Sequence, residues 1–351
     1  MRRLFNKLLV LAVSLSLLAK ASAFSLMGPF ASWQTGAIGY AGTGGPMNIF
    51  EDYRITVPLL TYGYDAPFLN FFGSNGVRAV EAAMAILNEV PAASAMSANL
   101  AEFPIQALPN PNGTAASLRM IDLKSSVLST MLGQMGLGSP ESWAWTLRDR
   151  TVIGNTTNYT VIQRNFDPIN WRPTNHVNGP LSYGYNIADG VGGVAISTTV
   201  PIPNSAANLI YRSVASVEDR GGLGVGEYFQ SLTTDDFGGL RYLLRFNNVN
   251  VQTLQAGTTL VNIVSPYAPF QGTNAQTNIP IAVARRPGIE KVAFTPMPID
   301  SLLGVAIRAV TNRYTDLFYH PTNSYLTNQI VQRVTTLPDI LFTAGDLSGG
   351  T

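Results

Sequence analysis

Cysteine is absent from this chain of 351 residues, and histidine occurs only twice, as His176 and His320. Without cysteine there is no thiol nucleophile, no disulfide and no thiolate ligand for zinc or an iron–sulfur cluster. The active-site helix of a zinc peptidase needs two histidines one turn apart, with a glutamate beside the first. Neither histidine has such a partner, so the sequence excludes this metal site.

Other catalytic signatures are also missing. No G-x-S-x-G segment is present to form the nucleophile elbow of a serine hydrolase. The glycine-rich segment Gly221–Glu227 lacks the lysine of a phosphate-binding loop. Acid pairs occur at Glu51-Asp52, Glu218-Asp219 and Asp235-Asp236, but adjacent carboxylates cannot face each other across a gap as those of a glycosidase do. We expect these pairs to cap helices or to lie in solvent.

Charge is scarce too, since Asp, Glu, Lys and Arg together make up only 12% of the residues. A soluble domain ordinarily has about a quarter, so Asn, Thr, Ser and Gln must supply much of the polar surface. The formal net charge is +1, and the local basic cluster is Arg285-Arg286. A nucleic-acid partner needs a basic stripe, so we do not expect one.

The first 23 residues have the three parts of a secretory signal peptide. Arg2, Arg3 and Lys7 form a basic region, Leu8–Leu18 is apolar, and Ala21–Ala23 is an A-x-A cleavage site. The apolar run is shorter than the roughly 20 residues that cross a bilayer, so we expect cleavage rather than anchoring. The location expected from this pattern is secreted, periplasmic or cell-surface, with no integral membrane segment after cleavage.

Composition divides the chain into four parts. After the signal peptide (1–23), a Gly-, Ala- and Ser-rich stretch (24–50) reads as a flexible surface lead-in. Residues 51–247 alternate helix and strand patterns, and residues 248–351 are richer in strand patterns and end in what looks like the start of another strand, as in a truncated sequence. This order predicts an α+β fold, with helices packed on a mixed or antiparallel sheet and a β-richer C-terminal part.

The local patterns predict particular elements. Apolar residues at spacings of three and four, together with caps, predict helices at Asn75–Glu89, at Ala115–Met135, from Ser139 through Trp145, from Thr234 and over Asp300–Arg313. Runs of β-branched and aromatic residues predict strands within Tyr53–Tyr64, where Pro58 argues for a break, and at Tyr159–Gln163, Val191–Val200 and Leu209–Val217.

Two segments carry a partial family resemblance. The helix Asp122–Gly138 ends in Leu-Gly-x-x-Gly-Leu-Gly, and a later segment reads Asp-Asp-Phe-Gly-Gly-Leu-Arg-Tyr-Leu-Leu from Asp235. In their order these segments resemble the H-E-L-G-H-x-L-G-L-x-H helix and the D-D-I-x-G-I-x-x-L segment of matrixin-type metzincin zinc peptidases. Thr130, Met131 and Gln134 stand where that family has its first histidine, its glutamate and its second histidine.

The resemblance implies a zincin-like fold that has lost its metal, because Thr, Met and Gln are poor zinc ligands or bases. Such a pseudoenzyme would retain a peptide-binding groove. The alternative is an ordinary helix end, in which glycines permit close packing and left-handed backbone.

The tryptophans Trp143, Trp145 and Trp171 are candidate ligand contacts, because exposed aromatic rings stack on sugars and peptides; the alternative is that they are core residues. The sequence favours a secreted or cell-surface binding or structural protein without catalysis or cofactor, with a peptide, protein or glycan as partner. The second hypothesis is an extracytoplasmic hydrolase with an atypical active site. The two differ in whether carboxylate, hydroxyl or imidazole groups converge in a pocket.

The signal-peptide prediction has a direct test. Because Ala21 and Ala23 are the small residues that signal peptidase recognises, the exported protein should begin at Phe24. N-terminal sequencing of the protein from the extracytoplasmic fraction checks this position. An Ala23→Arg variant should stay uncleaved, and a wild-type N-terminus at Met1 would contradict the prediction.

Overall fold

Many short strands alternate with a few helices along the chain. The computed structural model describes residues 23–28, 53–103, 109–140, 144–175, 183–190, 194–201, 223–261, 280–322 and 324–347. Its helices are α1 (Ala66–Glu89), α2 (Gly113–Ser117), α3 (Leu123–Gln134), α4 (Thr234–Leu244) and α5 (Ala344–Leu347). Its strands are β1 (Phe24–Leu26), β2 (Leu59–Tyr64), β3 (Asn110–Pro111), β4 (Leu137–Gly138), β5 (Trp145–Ile153), β6 (Thr156–Gln163), β7 (Asn165–Phe166), β8 (Tyr183–Gly190), β9 (Val194–Pro201), β10 (Glu227–Tyr228), β11 (Asn250–Thr253), β12 (Thr258–Leu260), β13 (Val283–Arg286), β14 (Ala293–Pro296), β15 (Ile299–Asp300), β16 (Val305–Ala306), β17 (Val310–Tyr319), β18 (Leu326–Thr335) and β19 (Ile340–Phe342).

This mixture of helices and several sheets confirms the predicted α+β class. The described residues fall into two compact units. One is drawn from residues 1–53, 97–125 and 129–240, and the other from 54–96, 126–128 and 241–351. Within the described part of the chain, no helix combines the length and the apolar character needed to cross a membrane.

The first unit contains β1 at the centre of a three-stranded antiparallel sheet, between β4 and β7. β1 is fully buried, so the lead-in predicted to lie at the surface starts as core instead. The pair β5–β6 confirms the strand predicted at Tyr159–Gln163, and β9 confirms most of the next one. Residues 1–22, most of the predicted signal peptide, and the strand predicted at Leu209–Val217 lie outside the described residues.

The long helix predicted at Ala115–Met135 is two helices, because the sequence offers two N-caps. The Asn112 side chain accepts a hydrogen bond from the Ala115 amide at 3.1 Å and begins α2. The Asp122 carboxylate accepts one from the Ser125 amide at 2.9 Å and begins α3. Between them Arg119 adopts the left-handed φ of 55°, which ends the first helix.

α4 begins where the sequence predicts, and its cap explains why. The Asp236 carboxylate accepts hydrogen bonds from the Thr233 amide and hydroxyl, both at 2.8 Å, while the Asp236 amide donates back to the Thr233 hydroxyl. This reciprocal pair is a capping box. By contrast, the helix predicted from Ser139 through Trp145 is wrong at its end, since Trp145 is the first residue of β5.

The second unit contains two sheets. β2 lies between β14 and β19 in a parallel sheet, and β11, β13, β17, β18 and β12 follow one another in an antiparallel sheet. α1 spans Ala66–Glu89, but Gly73 has a non-helical backbone (φ 58°, ψ −155°), so a kink lies directly before the helix predicted at Asn75–Glu89. The additional first segment is capped by Asp65, which accepts from the Phe68 amide at 2.7 Å. Its buried side chains, Phe68, Val80, Ala83, Met84 and Leu87, belong to the core of this unit.

The helix predicted at Asp300–Arg313 is wrong. The Asp300 carboxylate accepts from the Leu302 and Leu303 amides, at 2.9 and 3.1 Å, and Gly304 has a φ of 71°. These features make the turn of a small hairpin, β15–β16, and β17 follows it. Leu303, Ala306 and Val310 are spaced as in an amphipathic helix. The hydrogen bonds from the backbone to the Asp300 carboxylate nevertheless favour a turn.

An ion pair anchors the parallel sheet at Asp339. Its Oδ2 accepts hydrogen bonds from the Thr61 amide at 2.8 Å and the Thr61 hydroxyl at 3.0 Å, and Arg333 donates to both carboxylate oxygens. Burial opposes ionisation, but the hydrogen bonds from Arg333 and Thr61 outweigh it and lower the pKa of Asp339 below its ordinary value of 3.8. The carboxylate therefore ties β2 to β18 and to the start of β19.

A folded-state pKa below the unfolded one means that Asp339 stabilises the protein above the unfolded pKa and that this contribution is lost as pH falls through the folded pKa. Asp339→Asn should lower the free energy of unfolding by about 1–3 kcal/mol at pH 7, and the difference from wild type should shrink below about pH 4. Urea unfolding between pH 3 and pH 7 measures it. Glu81→Gln, at an exposed carboxylate, is the control; a pH-independent difference for Asp339→Asn would contradict the assignment.

Candidate functional site

The structure separates the three residues at the degenerate metal-site positions. Thr130 and Gln134 lie one turn apart on the exposed face of α3, whereas Met131 is only 1% exposed and packs into the core. Among the described residues, no group of three or more His, Asp or Glu side chains is arranged to hold a metal ion. His320 stacks on Tyr325 at a ring distance of 5.2 Å, and His176 lies outside the described residues.

The three candidate tryptophans differ in their location and in whether the structure describes them. Trp145 begins β5 and is half-buried, and Trp171 is half-buried in the loop after β7 with a left-handed φ of 59°. Trp143 lies outside the described residues. Both described side chains are thus partly exposed.

A cavity of about 150 Å³ in the second unit is the site that the sequence did not predict. Its wall on one side is formed by four consecutive residues of β17, Tyr314–Leu317. Successive side chains of a strand point to opposite faces, so a cavity lined by all four lies along the edge of the strand. The opposite wall is the segment Arg286–Glu290, and Thr56, Pro58, Phe246 and Gln252 complete the lining.

The gap exists because the ladder between β13 and β17 ends early. Arg285 pairs with Tyr319, and in an antiparallel ladder the next residues to exchange backbone hydrogen bonds would be Pro287 and Leu317. Proline has no N–H to donate, so the pairing stops there. From this point the chain leaves β17 and the cavity opens between them.

The segment Arg286–Glu290 is fixed by contacts on the side that faces away from β17. A Cβ on Gly288 would lie 2.3 Å from the carbonyl oxygens of Leu244 and Arg245, so only glycine fits there. The Glu290 carboxylate accepts the Phe246 amide at 2.7 Å and the Ser94 amide at 2.8 Å. Both oxygens of Glu290 are thus used to fix the loop.

At the base of the cavity lies a buried ion pair. Arg286 Nε and Nη2 donate to the two oxygens of Asp316 at 2.8 and 3.0 Å, and the residues are 3% and 6% exposed. The guanidinium also donates to the carbonyls of Gln252, Ala282 and Ile281. Gln329 donates to Asp316 Oδ2 at 2.8 Å. The charges at this cavity are therefore saturated by internal bonds.

Tyr314 contributes the remaining titratable side chain of the wall. Burial is the main cause that raises the pKa of its hydroxyl, with Asp316 adding to it, while the Thr258 hydroxyl and the charges of Arg333 and Arg286 act in the opposite sense. The phenol is thus protonated at neutral pH. The hydroxyl is itself buried beside Thr258, so it is not presented to a ligand and cannot act as a base in the cavity.

Sequence reasoning missed this site because its walls come from segments far apart in the chain. It noticed Arg285-Arg286 only as a basic cluster, although Arg286 turns inward. The available signal was Pro287-Gly288 directly after a strand, since this dipeptide marks a place where a chain leaves its sheet.

The ion pair predicts a specific stability pattern. Asp316→Ala should cost about 3–5 kcal/mol, because it leaves the Arg286 charge buried without a partner. The double variant Arg286→Met/Asp316→Leu should cost less than Asp316→Ala alone, and exposed Thr315→Ala should stay within about 0.5 kcal/mol of wild type. Guanidinium unfolding measures all three. A double variant at least as destabilised as the single one would refute this account.

Comparison of the chain with models of known protein families, with curated proteins and with solved structures finds no match.

Proposed function

We propose that this chain is an extracytoplasmic, non-catalytic binding protein whose cavity beside β17 receives an apolar group of its partner. The observation that carries the proposal is the combination of apolar walls with charged groups that are already saturated. Pro58, Phe246, Pro287, Ile289 and Leu317 supply apolar lining, and Arg286, Asp316 and Glu290 bond within the protein.

Catalysis would need a different arrangement. A general base must be oriented toward the substrate, and among the described residues that line this cavity both carboxylates are held by internal hydrogen bonds on each of their oxygens. The lining includes no histidine, lysine or serine. These features favour binding over the alternative hydrolase hypothesis.

The cavity volume suits one hydrophobic group. A cavity of about 150 Å³ with apolar walls holds a benzene-sized ring, so a leucine, phenylalanine or similar group would fill it. Placement outside the cytoplasm rests on the basic, apolar and A-x-A parts of residues 1–23.

Binding of a small apolar ring tests the proposal. Fluorobenzene should bind the purified protein saturably with a Kd of about 1 mM, which corresponds to about −4 kcal/mol, as followed by ¹⁹F NMR. Thr315→Trp places an indole at the cavity mouth and should weaken binding at least about tenfold, or about 1.4 kcal/mol.

Thr311→Trp is the matched control, because Thr311 is exposed on the same strand and face but does not line the cavity. This variant should bind fluorobenzene as wild type does. Unsaturable binding to wild type, or equal loss in both tryptophan variants, would refute the proposal.

A further inference from the structure

We infer that the partner is an extended, acidic peptide segment that adds as a strand to the open edge of β17 and places an apolar side chain in the adjoining cavity. This inference rests on the proposed function and specifies the kind of partner. It is carried by the backbone of β17, by the position of the cavity and by the charge beside it.

The backbone groups of β17 alternate in direction. The His320 amide, directly after β17, donates to the Tyr325 carbonyl at 2.9 Å, so even-numbered residues of this strand face β18. Odd-numbered residues face the other side, where Tyr319 pairs with Arg285. The N–H and C=O groups of Thr311, Arg313, Thr315 and Leu317 therefore point toward the edge at which the ladder has ended.

This edge is unpaired in the part of the chain that the structure describes. Within that part, none of the backbone groups of the four odd-numbered residues makes a hydrogen bond on the edge side. An unpaired strand edge is a template for another strand. Residues 311–317 would accommodate a segment of about five residues, at about 3.3 Å per residue.

The cavity adds specificity to such an edge. In strand addition, main-chain hydrogen bonds give affinity and pockets for alternate side chains give specificity. Because Tyr314–Leu317 line the cavity from the strand side, a peptide paired with this edge passes directly beside it. One inward side chain of the peptide then meets Phe246 and Ile289.

The exposed charges near this edge favour acidic residues on either side of the inward residue of the peptide. Arg313 and Arg285 are exposed near this edge, whereas the nearby carboxylates of Asp316 and Glu290 are engaged internally. Acids on either side of the inward residue would point outward, toward Arg313. A second copy of the chain suits the edge less well, because antiparallel pairing centred on Tyr314 would bring two Arg313 side chains close together, and like charges in such positions repel.

The probe is acetyl-Thr-Glu-Leu-Glu-Thr-amide, titrated into the full-length protein by calorimetry and NMR. We expect a Kd of about 100 μM, weaker binding of the corresponding lysine peptide, and slower hydrogen exchange at the Thr315 and Leu317 amides. Two N-methylated peptides test the ladder without altering the protein. One is methylated at the leucine N–H and the other at both glutamate N–H groups. Because N–H groups of a strand point alternately to its two sides, only one of these peptides carries its methyl groups on the side that pairs with β17. That peptide alone should lose binding, by at least about tenfold.

Two proline variants test the same edge from the protein side. Thr315→Pro removes an N–H that no described strand uses, a replacement that edge strands tolerate, and should abolish peptide binding. Thr311→Pro, outside the cavity, should affect the peptide less.

The outcomes separate the two proposals. If fluorobenzene binds but the peptide does not, or both N-methylated peptides bind alike, strand addition is wrong and the binding cavity stands. If neither probe binds, both are wrong. A concentration-dependent dimer of the free protein by sedimentation, with β17 amides protected, would overturn the inference in favour of a second copy.

Discussion

The buried pair of Arg286 and Asp316 is the interaction on which the second unit depends. A guanidinium and a carboxylate removed from water are tolerated only when nearly every donor and acceptor is satisfied, and this pair draws in carbonyls from β11 and from residues 281 and 282, as well as Gln329 from β18. It therefore links four strands of the five-stranded sheet, β11, β13, β17 and β18, from within. The cavity takes its shape from this link, because Arg286 is the last residue of β13 before the chain turns away.

Because the charged side chains at the cavity bond within the protein, they stabilise its structure and do not face a ligand. Groups that would be reactive in water, two carboxylates and a guanidinium, are used here to hold a loop and a sheet together. What they leave accessible is apolar surface and a run of backbone groups that no described strand pairs with. Those are the elements of recognition: an apolar group gains from leaving water, and a strand edge gains from a hydrogen-bonded neighbour.

Sequence reasoning succeeded where a local interaction decides the structure. The start of α4 follows from the cap that Thr233 and Asp236 form. It failed where two local signals compete. Asp122 lies inside an apolar helical pattern but acts as a cap, and Asp300 lies in another but makes a turn. The apolar spacing was present in both places, and a side-chain bond to the backbone outweighed it.

By itself, the sequence determined the α+β class, the helix at Thr234 and the absence of cysteine and paired-histidine chemistry, because composition and nearest neighbours suffice for these. Tertiary structure alone decided that Arg286 meets Asp316, and that the edge of β17 is open beside a cavity within the described part of the chain. Each of these depends on segments distant in the chain, and the strand register that brings them together is set by packing over the whole sheet.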